Sequence, residues 1–350
     1  MRSGIFFCTL MNIRYLILAL TTRCNLCCRY CYNGPEKTPA DMPESVLYQA
    51  CRLAADSGRP FHLQLTGGEP TLMPALIEKA ARSARESGLC RTIGIQTNGS
   101  CLSPEMLKIF KTYDMQVGVS LDGGPDVHQA QRGKAAETLR GLQMLESAGI
   151  PFRVTTVVTR HNTAFLDRLA LTLAGFSCAR GIGLDLLVAK GRAAATAAAD
   201  FPDSRSLADG SKAMAATLAA VNACRPRPIR LREKDLLMRA EKKPAFCHAC
   251  RGESLAVHPD GRLFPCGQTL ADDSFAAGTV WHPEPGALQR LGMSRPEQAD
   301  CERCEIRDRC PGDCPGRLHY NRGARQTLVC DLYRALWKTS TENPPERRKT

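Results

Sequence analysis

Residues 23–32 read Arg-Cys-Asn-Leu-Cys-Cys-Arg-Tyr-Cys-Tyr, with Cys24, Cys28 and Cys31 in the spacing CxxxCxxC. Three thiolates can hold three irons of a cubane [4Fe–4S] cluster and leave the fourth iron open. The four-cysteine ligation of an electron carrier leaves no such vacancy. An open iron can chelate a small molecule. A zinc site is the competing use of such cysteines, so the stretch must be read with its surroundings.

Working outward, the chain from Arg14 to about Val188 alternates two kinds of segment. Short apolar runs, several of them rich in β-branched residues, predict strands over Arg14–Leu20, Phe61–Thr66, Thr92–Gln96, Met115–Leu121, Phe152–Val158 and Gly183–Val188. Between them, helices are predicted over Pro43–Ser57, Pro74–Ser87, Ser103–Thr112, Ala135–Ala148 and Thr163–Leu173. Pro43 and Pro74 suit a first helical turn. Six β/α units predict an α/β fold whose parallel sheet curls into a partial (β/α)6 TIM-like barrel.

The unusual residues fall at one end of that sheet. The cysteine triplet follows the first strand, and Gly67-Gly68-Glu69-Pro70 the second. Gln96–Gly99 and Ser120–Gly123 close the third and fourth, while Arg160–Asn162 and Lys190–Arg192 follow the fifth and sixth. This is the face on which β/α barrels build active sites. The glycines of Gly67-Gly68 would let backbone approach a ligand closely. Glu69 would offer a carboxylate to a ligand ammonium, and Pro70 would stiffen the exit from the strand. Asp122 reads as a turn-former.

Taken together, the CxxxCxxC triplet with Tyr30 ahead of its third cysteine and the Gly67–Pro70 motif resemble the radical S-adenosylmethionine (radical SAM) superfamily. The resemblance implies that Cys24, Cys28 and Cys31 hold a [4Fe–4S] cluster whose open iron takes SAM. It further implies contacts to SAM from Glu69, from the Tyr30 backbone to the adenine, from Ser120 to the ribose and from Arg132 to the carboxylate.

Eight more cysteines lie between Cys247 and Cys330. Cys247 and Cys250 form CxxC, Gly261 and Cys266 form Gx4C, and Cys301, Cys304, Cys310 and Cys314 form CxxCx5CxxxC, followed by Cys330. Spacing alone permits two four-cysteine zinc sites. The pattern resembles the SPASM extension of radical SAM enzymes. That resemblance implies auxiliary cluster I on Cys247, Cys250, Cys266 and Cys314, auxiliary cluster II on Cys301, Cys304, Cys310 and Cys330, and three [4Fe–4S] clusters in all. The other cysteines, Cys8, Cys27, Cys51, Cys90, Cys101, Cys178 and Cys224, read mostly as buried apolar residues.

Composition bounds the rest. The 350 residues, 43 % of them hydrophobic, suffice for a large domain and a smaller one. Eighteen cysteines clustered in CxxC pairs, with no signal peptide ahead, fit reduced metal-binding thiols in a cytoplasm better than a secreted disulfide scaffold. Tyr15–Leu20 is too short to cross a bilayer. The net charge of +12 reads as a basic surface, with no nucleic-acid motif beside it. The expected organisation is a tail over 1–12, the barrel over 13–193, a helical linker over 194–245, the cysteine-rich domain over 246–335 and a disordered tail over 336–350. Met11 leaves open that residues 1–10 precede the true start.

The implied function is a SAM-dependent radical oxidoreductase acting on a peptide or protein side chain, supplied with electrons by a reductant such as flavodoxin or ferredoxin. A peptide maturase forming thioether or carbon–carbon cross-links is the first expectation. No leader-binding domain precedes the first strand, so a separate leader-peptide recognition protein is expected, or direct binding. An anaerobic sulfatase maturase forming formylglycine is the second. In that family an aspartate follows the Gx4C cysteine, whereas Cys266 here precedes Gly267-Gln268-Thr269, leaving Asp272 or Asp273 as substitutes. A non-catalytic iron–sulfur carrier or zinc-binding module is the alternative of another class.

Overall fold

The computed structural model describes residues 11–34, 38–239, 244–293, 301–321 and 327–342. Six β/α repeats come first: β1 (Tyr15–Ala19), α1 (Glu44–Asp56), β2 (Phe61–Thr66), α2 (Pro74–Glu86), β3 (Cys90–Thr97), α3 (Pro104–Thr112), β4 (Met115–Ser120), α4 (Pro125–Gln131), α5 (Ala135–Ser147), β5 (Phe152–Val158), α6 (Leu166–Ala174) and β6 (Ala179–Leu186). Then follow α7 (Arg192–Asp200), α8 (Ser204–Ala223), β7 (Arg230–Leu231) and α9 (Arg232–Arg239). The chain closes with β8 (Ser254–Val257), β9 (Leu263–Phe264), α10 (Arg290–Met293), α11 (Pro315–Tyr320) and α12 (Leu328–Glu342).

One open sheet runs in the order β7-β6-β5-β4-β3-β2-β1-β8-β9. Every pairing is parallel except β8 with β9. Period-two alternation sends one set of side chains outward. Leu16, Leu18, Leu63, Leu65, Ile93, Ile95, Val117, Val119 and Val154 are buried against Leu47, Ala50, Ile77, Ala81, Ile109 and Leu142 of the covering helices. The other face is polar along β2 to β5, where Gln64, Gln96, Ser120 and Thr155 are only half-buried. Two glutamines find room over glycines on the next strand. A Cβ on Gly94 would lie 2.7 Å from Gln64 Oε1, and one on Gly118 2.4 Å from Gln96 Oε1. At β1 the same face is apolar, and Ile17 and Ala19 pack with Ala256, Phe264, Phe275 and Leu291 of the C-terminal region.

The partial barrel with a cysteine-rich C-terminal region is therefore as expected, with differences at its margins. β3 starts at Cys90 and β6 at Ala179, ahead of the apolar runs that announce them. The expected helix from Thr163 opens with a 3-10 turn, Thr163–Phe165, before α6. α4 was not expected; Pro125 sits in its first turn.

Residues 194–245 do more than link. Ile229 and Leu231 are buried, and β7 adds to the sheet in the register Gly181↔Arg230 and Ile182↔Leu231. α8 packs against both α6 and α12. β8 pairs with β1, so the cysteine-rich region continues the barrel's own sheet. The expected disorder from residue 336 gives way to helix as far as Glu342, because Leu332, Tyr333 and Leu336 bury one face of α12 in the core. The expected tail residues 1–10 and 343–350 lie outside the described residues. Among the described residues no helix is long and apolar enough to cross a membrane.

Gly210, in the middle of α8, tests how closely that helix is seated. Alanine favours an exposed helix interior by about 1 kcal/mol over glycine. Here its Cβ would lie 2.0 Å from the Thr163 carbonyl oxygen. Gly210→Ala is therefore expected to lower the urea midpoint, by overpacking worth about 1–3 kcal/mol. A raised midpoint would contradict the seating of α8 on the turn at 163.

Candidate active site

β1 ends where Leu20 N–H donates to Thr66 O at 2.9 Å, and the chain then enters the cysteine loop. The turn after β2 lies directly on that loop. Gly68 N–H donates to Thr21 O at 2.7 Å and Glu69 N–H to Arg23 O at 2.8 Å. A Cβ on Gly68 would lie 2.1 Å from Arg23 O, and one on Gly67, which has φ +146°, 2.4 Å from Thr21 O. The two glycines thus admit the backbone of the cysteine loop, where a ligand was expected.

Glu69 holds this turn from behind. It is 1 % exposed. Its Oε1 accepts from Thr71 N–H at 3.1 Å, Thr71 Oγ1 at 2.6 Å and Thr97 Oγ1 at 2.6 Å, and its Oε2 from Asn98 N–H at 2.7 Å. Burial pushes its pKa up, and these hydrogen bonds oppose the shift. The carboxylate is engaged inside the protein. Pro70 begins the 3-10 turn Pro70–Leu72 that carries Thr71.

Other strand ends fasten the loop elsewhere. Asn98 Nδ2 donates to Asn25 Oδ1 at 2.8 Å, and Asn25 Nδ2 to Ser100 Oγ at 2.8 Å. Arg29 N–H donates to Gln131 O at 3.0 Å. After β6, Arg192 N–H donates to Cys31 O at 2.9 Å and its Nη1 to Cys28 O at 3.4 Å. Gly191, at φ +61°, leaves space for this approach; a Cβ there would lie 2.5 Å from Cys31 O.

Asp122 is the hub beneath the loop. It is 1 % exposed. Its Oδ2 accepts from the Tyr30 hydroxyl and from Arg132 Nε at 3.0 Å. Its Oδ1 accepts from Val157 N–H at 3.1 Å and Thr156 Oγ1 at 3.3 Å. Asn162 Nδ2 donates to the Asp122 carbonyl at 3.1 Å. Arg132 lies over the Tyr30 ring, 5.2 Å from its centroid, with its side chain 9 % exposed. So Arg132 is in a buried ion pair, and Asp122 is far more than a turn-former. The sequence signal available for it was an aspartate at a strand's C-terminal end, ten residues ahead of an arginine. Ser120 is half-buried and accepts from Gln96 Nε2 at 3.0 Å.

The three loop cysteines share one neighbourhood. Cys24 is exposed, and Cys28 and Cys31 are half-buried. Leu26 N–H points to Cys24 Sγ at 3.4 Å. Burial pushes the Cys28 thiol up to about 11, with further upward pressure from Cys31 and Cys24 and relief from Arg132. A Cys28 thiol whose ionisation Cys31 and Cys24 oppose suits a bound cationic group.

The C-terminal cysteines gather into two sets. Cys247 Sγ and Cys250 Sγ are 3.6 Å apart, and Cys250 and Cys314 raise the Cys247 thiol. Cys266 and Cys314 are both pushed up, first by burial, Cys266 next to Cys250 and Cys314 next to Cys266. Cys301, Cys304, Cys310 and Cys330 line a cavity of about 280 Å³ together with Ile306 and Arg334. No disulfide joins any described cysteine, and no three His, Cys, Asp or Glu among the described residues converge tightly enough to hold one metal ion. Of the remaining cysteines, Cys51, Cys90 and Cys178 are buried, Cys101 is half-buried, Cys27 and Cys224 are exposed, and Cys8 lies outside the described residues.

Two residues outside the motifs join the sets. Lys190 Nζ, just past β6, donates to Gln268 O at 2.8 Å and Leu270 O at 2.7 Å. Burial pushes the Tyr32 hydroxyl well up, and Cys31, Cys266 and Asp185 add to it, so Tyr32 lies between the loop and the first C-terminal set. Asp272 accepts from Tyr320 Oη at 2.6 Å, whereas Asp273, 85 % exposed, pairs with Arg262.

Known proteins resemble this chain in sequence and in fold. Residues 18–165 match the model of the radical SAM superfamily. An uncharacterised protein of Methanocaldococcus jannaschii is 30 % identical over 262 residues, 73 % of this chain and 85 % of that one. A serine-type anaerobic sulfatase-maturating enzyme of Klebsiella aerogenes is 25 % identical over 351 residues, 89 % of this chain and 81 % of that one. The solved structure of native anSMEcpe with bound AdoMet and Kp18Cys peptide shares the fold, with TM-score 0.75 and 18 % identity over 94 % of this chain and 97 % of that one.

The hub also contains a proton-sensitive group. His128 is fully buried, its Nδ1 accepts from Asp122 N–H at 3.4 Å, and its Nε2 has no hydrogen-bond partner. Burial lowers its pKa from 6.5 to about 4. The unfolded chain therefore binds this proton first, and stability falls as pH drops through the interval between those two values. The loss should reach about 3 kcal/mol. Urea unfolding at pH 7 and pH 4.5 should show a steeper loss for the native chain than for His128→Asn, whose amide oxygen can still accept from Asp122. Equal losses would contradict a neutral His128.

Proposed function

The chain belongs to the radical SAM superfamily, and from that premise we propose that it is a maturase that oxidises a side chain of a peptide or protein. One observation carries the reading: a fastened CxxxCxxC loop at the mouth of a polar half-barrel, with two further cysteine quartets in the C-terminal region. Cys24, Cys28 and Cys31 would hold the SAM-binding [4Fe–4S] cluster. Cys247, Cys250, Cys266 and Cys314 would hold one auxiliary cluster, and Cys301, Cys304, Cys310 and Cys330 the other. The superfamily match over residues 18–165 supports clusters over zinc. When bound, the open-iron cluster and SAM supply a 5′-deoxyadenosyl radical able to abstract hydrogen from carbon.

The chain's own residues would bind, orient and shield. Gly67, Gly68, Glu69 and Pro70 form the edge nearest the cysteine loop. With the amides of 68 and 69 used on Thr21 and Arg23, this edge would meet the SAM ammonium through backbone carbonyls, while Glu69 keeps the turn in place. Tyr30 would offer its backbone to the adenine and Ser120 its hydroxyl to the ribose. Arg132, fixed at Nε by Asp122, would turn its terminal nitrogens to the SAM carboxylate. Lys190 and Tyr32 lie where the loop faces Cys266, which supports a reaction space between the first cluster and the first auxiliary site.

Cross-linking of a ribosomally made peptide is favoured over formylglycine formation. Gly267 follows Cys266 where sulfatase maturases carry an aspartate, Asp273 is turned to Arg262, and Asp272 is bound by Tyr320. The likeness to a sulfatase-maturating enzyme over 89 % of this chain keeps formylglycine as the second reading.

Anaerobically reconstituted protein is expected to hold about twelve irons, three cubanes' worth, and the triple variant Cys24/Cys28/Cys31→Ala about eight. Glu69→Gln should keep all the iron but bind SAM on the order of tenfold more weakly, because a donor amide disturbs the turn. Stoichiometric zinc without iron would refute the assignment.

Substrate class is read from products. Given a cysteine-containing precursor peptide, SAM and a low-potential reductant such as flavodoxin or ferredoxin, the enzyme should remove two hydrogens and leave no aldehyde. A hydrazide-reactive product from a sulfatase peptide, with no turnover of cross-linkable peptides, would instead establish formylglycine formation.

A further inference from the structure

Gln268 touches two members of the first C-terminal quartet. Its backbone N–H points to Cys266 Sγ at 3.5 Å, and the Cys314 thiol donates to its Oε1 at 3.3 Å. Its carbonyl is held by Lys190 Nζ at 2.8 Å. The amide lies in a space kept open by Gly316, where a Cβ would stand 2.6 Å from Oε1. A side chain that reaches across to a cysteine 46 residues away, into a gap that one extra carbon would fill, is placed for that sulfur.

A protonated sulfur donates, so it meets the amide oxygen. A metal-bound sulfur carries no proton and can only accept. A half-turn about the last side-chain bond would exchange Oε1 for Nε2 and present an N–H to it. Such N–H···S bonds stabilise the more negative, reduced form of an iron–sulfur group and so raise its potential. Lys190 adds positive charge in the same place.

We propose that Gln268 sets the reduction potential of the iron–sulfur group held by Cys247, Cys250, Cys266 and Cys314, donating from its side-chain amide to Cys314 and from its backbone to Cys266. This rests on the cluster assignment above. Gln268 is a positioning and tuning residue; it holds no iron. A glutamate here would place an acceptor against the sulfur and favour the oxidised form.

The test is an EPR-monitored redox titration of the reconstituted full chain, with iron counted in each sample. Gln268→Leu should move one midpoint potential to a more negative value and leave the others unchanged, and Gln268→Glu should move the same midpoint further. Gly316→Ala, which keeps Gln268 but pushes its amide away from the sulfur, should shift that midpoint in the same direction. It decides the matter if Gln268→Leu loses iron. Unchanged midpoints at full iron in all three variants would overturn the proposal. If Cys314→Ala removes neither iron nor any of the wild-type signals, the quartet is not a cluster site, and the assignment falls together with the proposal.

Discussion

The structure depends on one close approach. The amides of Gly68 and Glu69 donate to the carbonyls of Thr21 and Arg23 across a gap that admits no side chain on residue 68. That contact joins the end of β2 to the loop leaving β1, and so decides where Cys24, Cys28 and Cys31 stand. Burying the Glu69 carboxylate behind it costs several kcal/mol unless the charge is compensated. Four donors from Thr71, Thr97 and Asn98 provide that compensation. The same donors tie β3 into the turn. Asp122 then does from β4 what Glu69 does from β2, and Gly191–Arg192 close the third side after β6.

The C-terminal region is placed by a second continuity. Because β8 pairs with β1 in parallel and β9 with β8, the Cys266 loop leaves a strand two places along the sheet from the one that launches the Cys24–Cys31 loop. Lys190, from the β6 end, reaches the carbonyls just beyond Cys266. Cys314 crosses from the second cysteine cluster of the sequence to the first quartet in space. The polar half-barrel therefore opens between two cysteine sites held by one sheet. That arrangement is suited to a substrate that must meet one site while facing the other.

Much of this was legible in the sequence. Alternating apolar runs and proline-started helices carried the six repeats, and CxxxCxxC and CxxCx5CxxxC carried the cysteine groups. What stayed hidden has physical causes. β7 and α9 lie in a basic stretch whose buried residues, Ile229, Leu231 and Leu237, are too few for a period to emerge. The tail helix was masked by its polar face. Asp122 looked like any aspartate before glycine, because its partners Tyr30, Arg132 and Val157 come from three separate segments. Glu69 was legible as important but not in its direction. A local motif does not say whether a carboxylate faces a ligand or the threonines behind it.

The central claim is that the fastened cysteine loop cleaves SAM reductively. The direct measurement is anaerobic incubation of the iron-loaded, dithionite-reduced chain with SAM, followed by chromatography of the nucleosides. The account predicts 5′-deoxyadenosine and methionine in equal amounts, formed only when reductant is present. Intact SAM after prolonged incubation of fully iron-loaded, reduced protein would contradict it.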